Sequence, residues 1–159
     1  MNSEDFYTII QLMLAPAVMI SACGLLLLGI TNKHTSITNR IRLLNEEKRR
    51  LLIKMRDDKQ LEYIETIRLQ SILKQLDDLI VRLRLVRNVI IFYSTGILLF
   101  VGSSLFIGIE FLVKTKFFDY MKIITFVLGM LSVAIGLINA LLETIKGYKV
   151  VLLDIKADE

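Results

Sequence analysis

The sequence is poor in the residues that hold metal ions or form covalent cross-links. Cys23 is its only cysteine and His34 its only histidine. One cysteine cannot form a disulfide within the chain, and one His with one Cys cannot supply the ligands of a usual zinc site within a single chain, which leaves open only a site shared between subunits. The sequence also lacks a glycine-rich phosphate loop and any catalytic set that a single histidine completes. We therefore expect no metal, no cofactor and no enzymatic activity.

Glycine and proline are absent from residues 30–95. These two residues are the strongest helix breakers, so helix is the default for the whole stretch. Two apolar stripes with spacings of three and four support this prediction and resemble the seams of a coiled coil. The stripes comprise Ile37, Ile41, Leu44, Leu51 and Met55, interrupted by Lys48, and then Leu69, Ile72, Leu76, Leu79, Leu83, Val86 and Ile90.

Charge is nearly absent from three stretches, residues 9–30, 89–113 and 123–142. Each has about 20 residues or more, enough for a helix to cross the roughly 30 Å of hydrocarbon in a bilayer. The sequence therefore predicts an integral membrane protein with three transmembrane helices. Ile20-Ser21-Ala22-Cys23 resembles a lipoprotein cleavage box, but the acidic N-terminus and the apolar residues beyond Cys23 favour an uncleaved helix.

Basic residues are absent before the first apolar stretch and concentrated after it. Residues 32–88 contain 14 Lys and Arg against 8 Asp and Glu, whereas the loop after the second stretch has only Lys114, Lys116 and Lys122. The positive-inside rule therefore places residues 32–88 in the cytoplasm. With three spans the N-terminus is then outside and the C-terminus inside, in a multi-pass protein of the inner (plasma) membrane.

Residues 32–88 leave and re-enter the membrane at the same surface. Two helical arms of similar length meet that condition, and residues 56–60, the most polar point, suit the turn between them. We predict a long cytoplasmic antiparallel helical hairpin, with one kinked helix along the membrane as the alternative. The predicted regions are 1–31 (first span), 32–88 (hairpin), 89–142 (second and third spans) and 143–159 (cytoplasmic tail).

Small and polar residues recur along the third stretch at spacings of four and three, which places them on one helix face. Such a face lets helices approach closely and hydrogen-bond, as in a packing seam. If several copies surrounded an axis, it would instead line an ion path with a carboxylate ring at its cytoplasmic mouth. This polar face comprises Thr125, Gly129, Ser132, Gly136, Asn139 and Glu143.

Other charged residues lie at the predicted membrane surfaces. Glu110 is an intramembrane acid near the outer end of the second span, and Lys114 is placed to pair with it at i+4. Basic residues at the cytoplasmic surface predict contacts with anionic lipid headgroups rather than nucleic acid, because no nucleic-acid motif accompanies them. These predicted lipid contacts are Lys33, Arg40, Arg42, Arg82, Arg84 and Arg87.

The run from Ala15 to Leu28, followed by Thr31-Asn32-Lys33 and Asn39-Arg40-Ile41-Arg42-Leu43, resembles the opening of a bacterial membrane-protein family, the domain of unknown function 2721. The resemblance continues through residues 84–89 and 142–145. It implies three spans and a charged cytoplasmic segment, without an established activity.

The sequence favours a non-enzymatic homo-oligomer over a catalyst. Small residues on the first and third spans call for helix partners that three thin spans alone do not provide. We expect an assembly or scaffold element that presents its hairpin to the cytoplasm. The alternative is an oligomeric ion channel or transporter lined by the third span.

Overall fold

The chain is helical throughout residues 3–57, 62–113 and 116–157, which are the residues that this computed structural model describes. Three helices follow one another, α1 (Ser3–Asp57), α2 (Glu62–Val113) and α3 (Lys116–Ala157). Each contains a segment long and apolar enough to cross a membrane. This confirms the prediction of an all-α chain with three helices of membrane-spanning length and composition.

The helices are longer than the predicted spans. α1 continues past residue 30 to Asp57, as expected from the absence of Gly and Pro, and α3 continues past residue 142 to Ala157. The turn predicted at residues 56–60 overlaps the end of α1, because Arg56 and Asp57 are still helical. Residues 58–60 of that turn lie outside the described residues.

The helices divide into two compact units. One, called unit 1 below, contains Met1–Thr31 and Asn88–Ala140. The other, unit 2, contains Asn32–Arg87 and Leu141–Glu159. Each unit therefore draws on all three helices, and each has its own buried residues.

Unit 1 is built on close contacts between α2 and α3. A Cβ added at Gly129 would lie 2.9 Å from a ring carbon of Phe100, and one at Gly136 would lie 2.8 Å from a ring carbon of Tyr93. Both aromatic side chains are fully buried. Glycine is therefore required at these positions because any larger residue would push the rings aside.

Unit 2 contains an antiparallel pair formed by α1 and α2. Leu51 of α1 packs with Ile72 and Leu76 of α2 in a buried cluster. On the surface, Glu47 accepts hydrogen bonds from Arg68 at 2.5 and 2.8 Å. Further along, Lys33 of α1 and Arg82 of α2 contact the same carboxylate, that of Glu143. The residue in α2 thus rises from 68 to 82 as the residue in α1 falls from 47 to 33, so the two helices run in opposite directions.

Candidate functional site

A buried ion cluster in unit 2 is the candidate functional site. The carboxylate of Glu143 is only 2% exposed, yet it accepts hydrogen bonds on both oxygens. Oε2 accepts from the ammonium of Lys33, and Oε1 accepts from Nε and Nη2 of Arg82 at 3.3 and 3.1 Å. The three residues come from three different helices. We call them the Glu143 cluster.

Gly147, one helical turn after Glu143, makes room for this arrangement. A Cβ at Gly147 would lie 2.9 Å from Nη2 of Arg82 and 3.2 Å from its Cζ. The guanidinium therefore lies directly against the α3 backbone, where its Nε and Nη2 reach the same oxygen. Two hydrogen bonds from one planar group fix its orientation better than a single contact does.

The Glu143 cluster holds more positive than negative charge. Two cations surround one acid, which gives a formal charge of +1. A carboxylate removed from water is tolerated only when its charge is compensated and its oxygens are hydrogen-bonded. Glu143 meets both conditions, while Lys33 and Arg82 keep 38% and 21% of their side-chain surface exposed.

A second cluster, in unit 1, has the opposite charge balance. The ammonium of Lys122 contacts Glu110 at 2.5 Å and Asp119 at 2.8 Å, so one cation serves two acids. The side chains of Glu110 and Lys122 are 27% and 17% exposed. We call these three residues the Glu110 cluster, and its formal charge is −1.

Glu110 has a partner that the sequence did not predict. The i+4 rule favoured Lys114, which lies outside the described residues, whereas the structure pairs Glu110 with Lys122 on the next helix. The buried hydroxyl of Ser103 fixes the same region by donating to the backbone carbonyl of Lys122 at 3.0 Å. Because α2 ends at Val113 and α3 begins at Lys116, Glu110 and Lys122 lie near adjacent helix ends.

Within unit 1, the polar face of α3 contacts α2. Ser132 donates to the carbonyl of Phe92 at 2.8 Å, and Gly129 and Gly136 lie against aromatic rings. Thr125 and Asn139 instead donate to carbonyls of their own helix, at 2.7 and 2.9 Å. These five residues thus divide between helix contacts and bonds within α3.

The predicted lipid-binding residues divide as well. Lys33 and Arg82 converge on Glu143, which the sequence had placed at a pore mouth or a packing face. The sequence assigns the two cations to the membrane surface and does not predict this ion cluster. The sequence did contain a signal for the cluster, because all three residues lie close to the predicted cytoplasmic ends of the spans. The remaining members, Arg40, Arg42, Arg84 and Arg87, are exposed.

Apart from the two ion clusters, the described residues offer little chemistry. No group of three or more His, Cys, Asp and Glu among them is arranged to hold a metal ion. A groove of about 190 Å³ in unit 1 is lined mainly by apolar side chains, including those of Leu12, Pro16 and Phe126. Cys23 is buried within the same unit.

Three helices of this length and composition indicate a multi-span helical membrane protein. The chain matches the family model described as "Protein of unknown function (DUF2721)" over residues 13–152. Because this match covers most of its length, the chain belongs to the DUF2721 family. No curated protein and no solved structure matches it significantly.

Proposed function

We propose that the chain is a non-enzymatic, homo-oligomeric inner-membrane protein that presents residues 32–88, called the hairpin below, to the cytoplasm as an assembly or scaffold element. The observation that carries this proposal is the exposure of large apolar side chains along the hairpin. Helix length, small residues on α1 and the distribution of basic residues also support it.

Helix length supports a hairpin that extends beyond the membrane. α1 has 55 residues and α2 has 52. Since about 20 residues cross the hydrocarbon, roughly 30 residues of each helix remain for another environment. The described parts of the hairpin carry charged side chains throughout and an internal apolar core, as expected of a coiled-coil-like arm in water.

Apolar side chains on the outside of the hairpin support a homo-oligomer. Leu73 and Ile80 of α2 lie seven residues apart, hence on one helix face, and are 40% and 45% exposed. Exposed apolar side chains in water favour a partner surface. A second copy is the simplest partner, because every copy carries the same face and two faces can pair symmetrically. Further exposed apolar residues of the hairpin are Leu43, Leu52, Ile53, Ile67 and Val81.

Small residues on the membrane part of α1 point the same way. A Cβ added at Gly24 or Gly29 would meet nothing within 4 Å, in contrast to the tight contacts at Gly129 and Gly136. Small residues on transmembrane helices commonly mark faces where two helices approach closely. We infer that this α1 face contacts another copy.

The basic residues support the orientation and anionic lipids as partners. The proposed cytoplasmic segments contain 17 Lys and Arg, against three, Lys114, Lys116 and Lys122, between the second and third apolar stretches. Cytoplasmic segments of membrane proteins carry such an excess, and anionic headgroups attract it.

The oligomer is tested by Leu73→Glu with Ile80→Glu, which places charge on the exposed hairpin face without removing a buried side chain. We expect the mass of the detergent-solubilised particle to fall while helicity by circular dichroism stays unchanged. Lys74→Glu is the matched control, because it adds negative charge at an exposed position between the two. An unchanged mass in the double variant would contradict assembly through this face.

The orientation is tested by single cysteines in a Cys23→Ser background. A cysteine at Ser3 or Lys116 should react with an impermeant thiol reagent in intact cells, and one at Arg50 should react only after lysis. Labelling of the Arg50 position in intact cells would contradict a cytoplasmic hairpin.

The alternative function is an ion-conducting oligomer lined by α3. In a pore, Asn139→Leu should abolish a current that the purified protein carries in planar bilayers, with the oligomer intact. The contacts of Gly129, Ser132 and Gly136 with α2 favour the packing interpretation of the polar face. A reproducible current abolished in this way would overturn the scaffold proposal.

A further inference from the structure

Among the described residues, the Glu143 cluster has one positive charge without a counter-ion. Lys33 and Arg82 share a single carboxylate, and no second acid among the described residues contacts either cation. Unscreened positive charge at a partly desolvated position attracts an anion more strongly than the same charge in bulk water does. An anion with one negative charge would bring the cluster to neutrality.

Hydrogen-bond donors also remain in the Glu143 cluster. The ammonium of Lys33 has three N–H donors and uses one on Glu143, and Arg82 uses Nε and Nη2 but not Nη1 on groups of the described chain. Both side chains are partly exposed, so a ligand can reach them. Glu143 holds the two cations beside each other, as a site for one multidentate anion requires.

The position of the Glu143 cluster along the spans indicates which class of anion it would bind. Lys33 follows the first charge-free stretch by three residues, and Glu143 directly follows the third. In the orientation proposed above, this is the level of the cytoplasmic headgroups, where basic pockets between helices bind anionic lipids. Large apolar side chains of α3 flank Glu143 and suit acyl chains; they are Leu141, Leu142 and Ile145, all exposed.

We propose that Lys33 and Arg82 together bind the phosphate group of an anionic phospholipid, and that Glu143 is an internal carboxylate that keeps both cations in place and competes with that phosphate. This inference rests on the proposed cytoplasmic orientation of the hairpin. The phospholipid would then bind at two defined residues and not at a diffuse basic surface. If Glu143 competes with the phosphate, neutralising Glu143 should strengthen phospholipid binding.

The experiment measures lipid bound to the purified, full-length protein by native mass spectrometry, with phosphatidylglycerol and phosphatidylcholine as probes. Lys33→Met should lower phosphatidylglycerol binding by about tenfold or more, the effect of losing one charge-assisted hydrogen bond. Lys74→Met removes the same charge at an exposed hairpin position and should leave binding unchanged. Phosphatidylcholine, which has no net charge, should bind weakly to every variant.

Two further variants separate a site from diffuse attraction. Arg84→Met removes an exposed cation two residues from Arg82 and should reduce binding by less than Lys33→Met does. Glu143→Gln should raise phosphatidylglycerol binding several-fold, because its two cations lose their competitor. Should Glu143→Gln fail to fold, the comparison of Lys33→Met with Arg84→Met still decides.

Equal losses in Lys33→Met and Arg84→Met would overturn the two-residue site. Displacement of phosphatidylglycerol by an equal concentration of glycerol phosphate would overturn the assignment to a lipid, because the apolar flank would then contribute nothing. The same spectra report the number of copies in each particle. Failure of the homo-oligomer proposal is thus seen as a change in mass, separately from the amount of bound lipid.

Discussion

The two ion clusters contain the same kinds of side chain but have opposite net charge. The Glu143 cluster surrounds one acid with two cations and buries the acid completely. The Glu110 cluster surrounds one cation with two acids and leaves each partly exposed. The excess charge is positive beside the segment predicted to be cytoplasmic and negative beside the loop predicted to be outside. The charge asymmetry of the loops thus extends to the side chains that connect the helices.

The two ion clusters also join different parts of the chain. Glu110 and Lys122 lie on α2 and α3 and are only 12 residues apart in the sequence. Glu143 instead connects α3 to residues of α1 and α2 that are distant in sequence. Its contacts therefore restrict more of the chain, and their loss should cost more.

The largest expected effect comes from removing the acid of each cluster. Glu143→Ala leaves two cations around a buried site without compensation and should reduce the free energy of unfolding by about 3–5 kcal/mol. Glu110→Ala removes a partly exposed acid while Asp119 still compensates Lys122, so we expect about 1 kcal/mol or less. Thermal unfolding in detergent measures both. Equal losses of stability would show that burial does not distinguish the clusters.

A smaller effect is expected at the helix contacts of unit 1. Gly129→Ala and Gly136→Ala insert a methyl group against Phe100 and Tyr93 and should each destabilise the fold by about 1–3 kcal/mol. Gly24→Ala is the control, because its methyl would meet nothing within 4 Å of the same chain. In the monomer it should be neutral or slightly stabilising, since alanine favours helix.

The Gly24 control also sharpens the oligomer proposal. If α1 contacts a second copy at this face, Gly24→Leu should weaken the oligomer without unfolding the single chain. The measurement is particle mass together with helicity. A leucine that changes neither would contradict the proposed role of the α1 face.

The sequence predicted the architecture well because architecture depends on local patterns. Stretches without charge indicated three helices able to span a membrane, and the absence of Gly and Pro from residues 30–95 indicated helices that continue beyond the apolar stretches. The run from Ala15 to Leu28 identified the family that the match over residues 13–152 confirms.

The ion clusters were not predicted because they depend on tertiary contacts. Lys33 and Glu143 are 110 residues apart, so no periodicity within one helix connects them. For Glu110, the local i+4 rule considered only Lys114, and it could not indicate the contact with Lys122 of the next helix. The sequence shows which charged residues lie near the same end of the spans. Which basic residues contact Glu143 depends on how each helix is rotated about its axis, and the sequence does not reveal that.

Within the Glu143 cluster, a subtler change tests how tightly Arg82 is held. Gly147→Ala places a methyl 2.9 Å from Nη2 of Arg82, so the guanidinium must shift from the α3 backbone. We expect a loss of about 1 kcal/mol, because a flexible side chain gives way more easily than a packed ring does. Gly102→Ala is the control, since its methyl makes an ordinary contact of 3.5 Å with Thr125. A loss as large as that of Glu143→Ala would indicate that the guanidinium cannot adjust.

The smallest effect is expected at the exposed ion pair of the hairpin. Arg68 contacts Glu47 at 2.5 Å, but 66% of the arginine side chain and 37% of the glutamate side chain remain exposed. Water screens such a pair, so Arg68→Ala should cost about 0–1 kcal/mol. Raising the salt concentration from about 0.1 M to 1 M shortens the screening length from about 10 to 3 Å and should reduce that cost further. The cost of Glu143→Ala should change much less, because a buried pair is screened weakly; equal salt dependence of the two variants would contradict the burial of the Glu143 cluster.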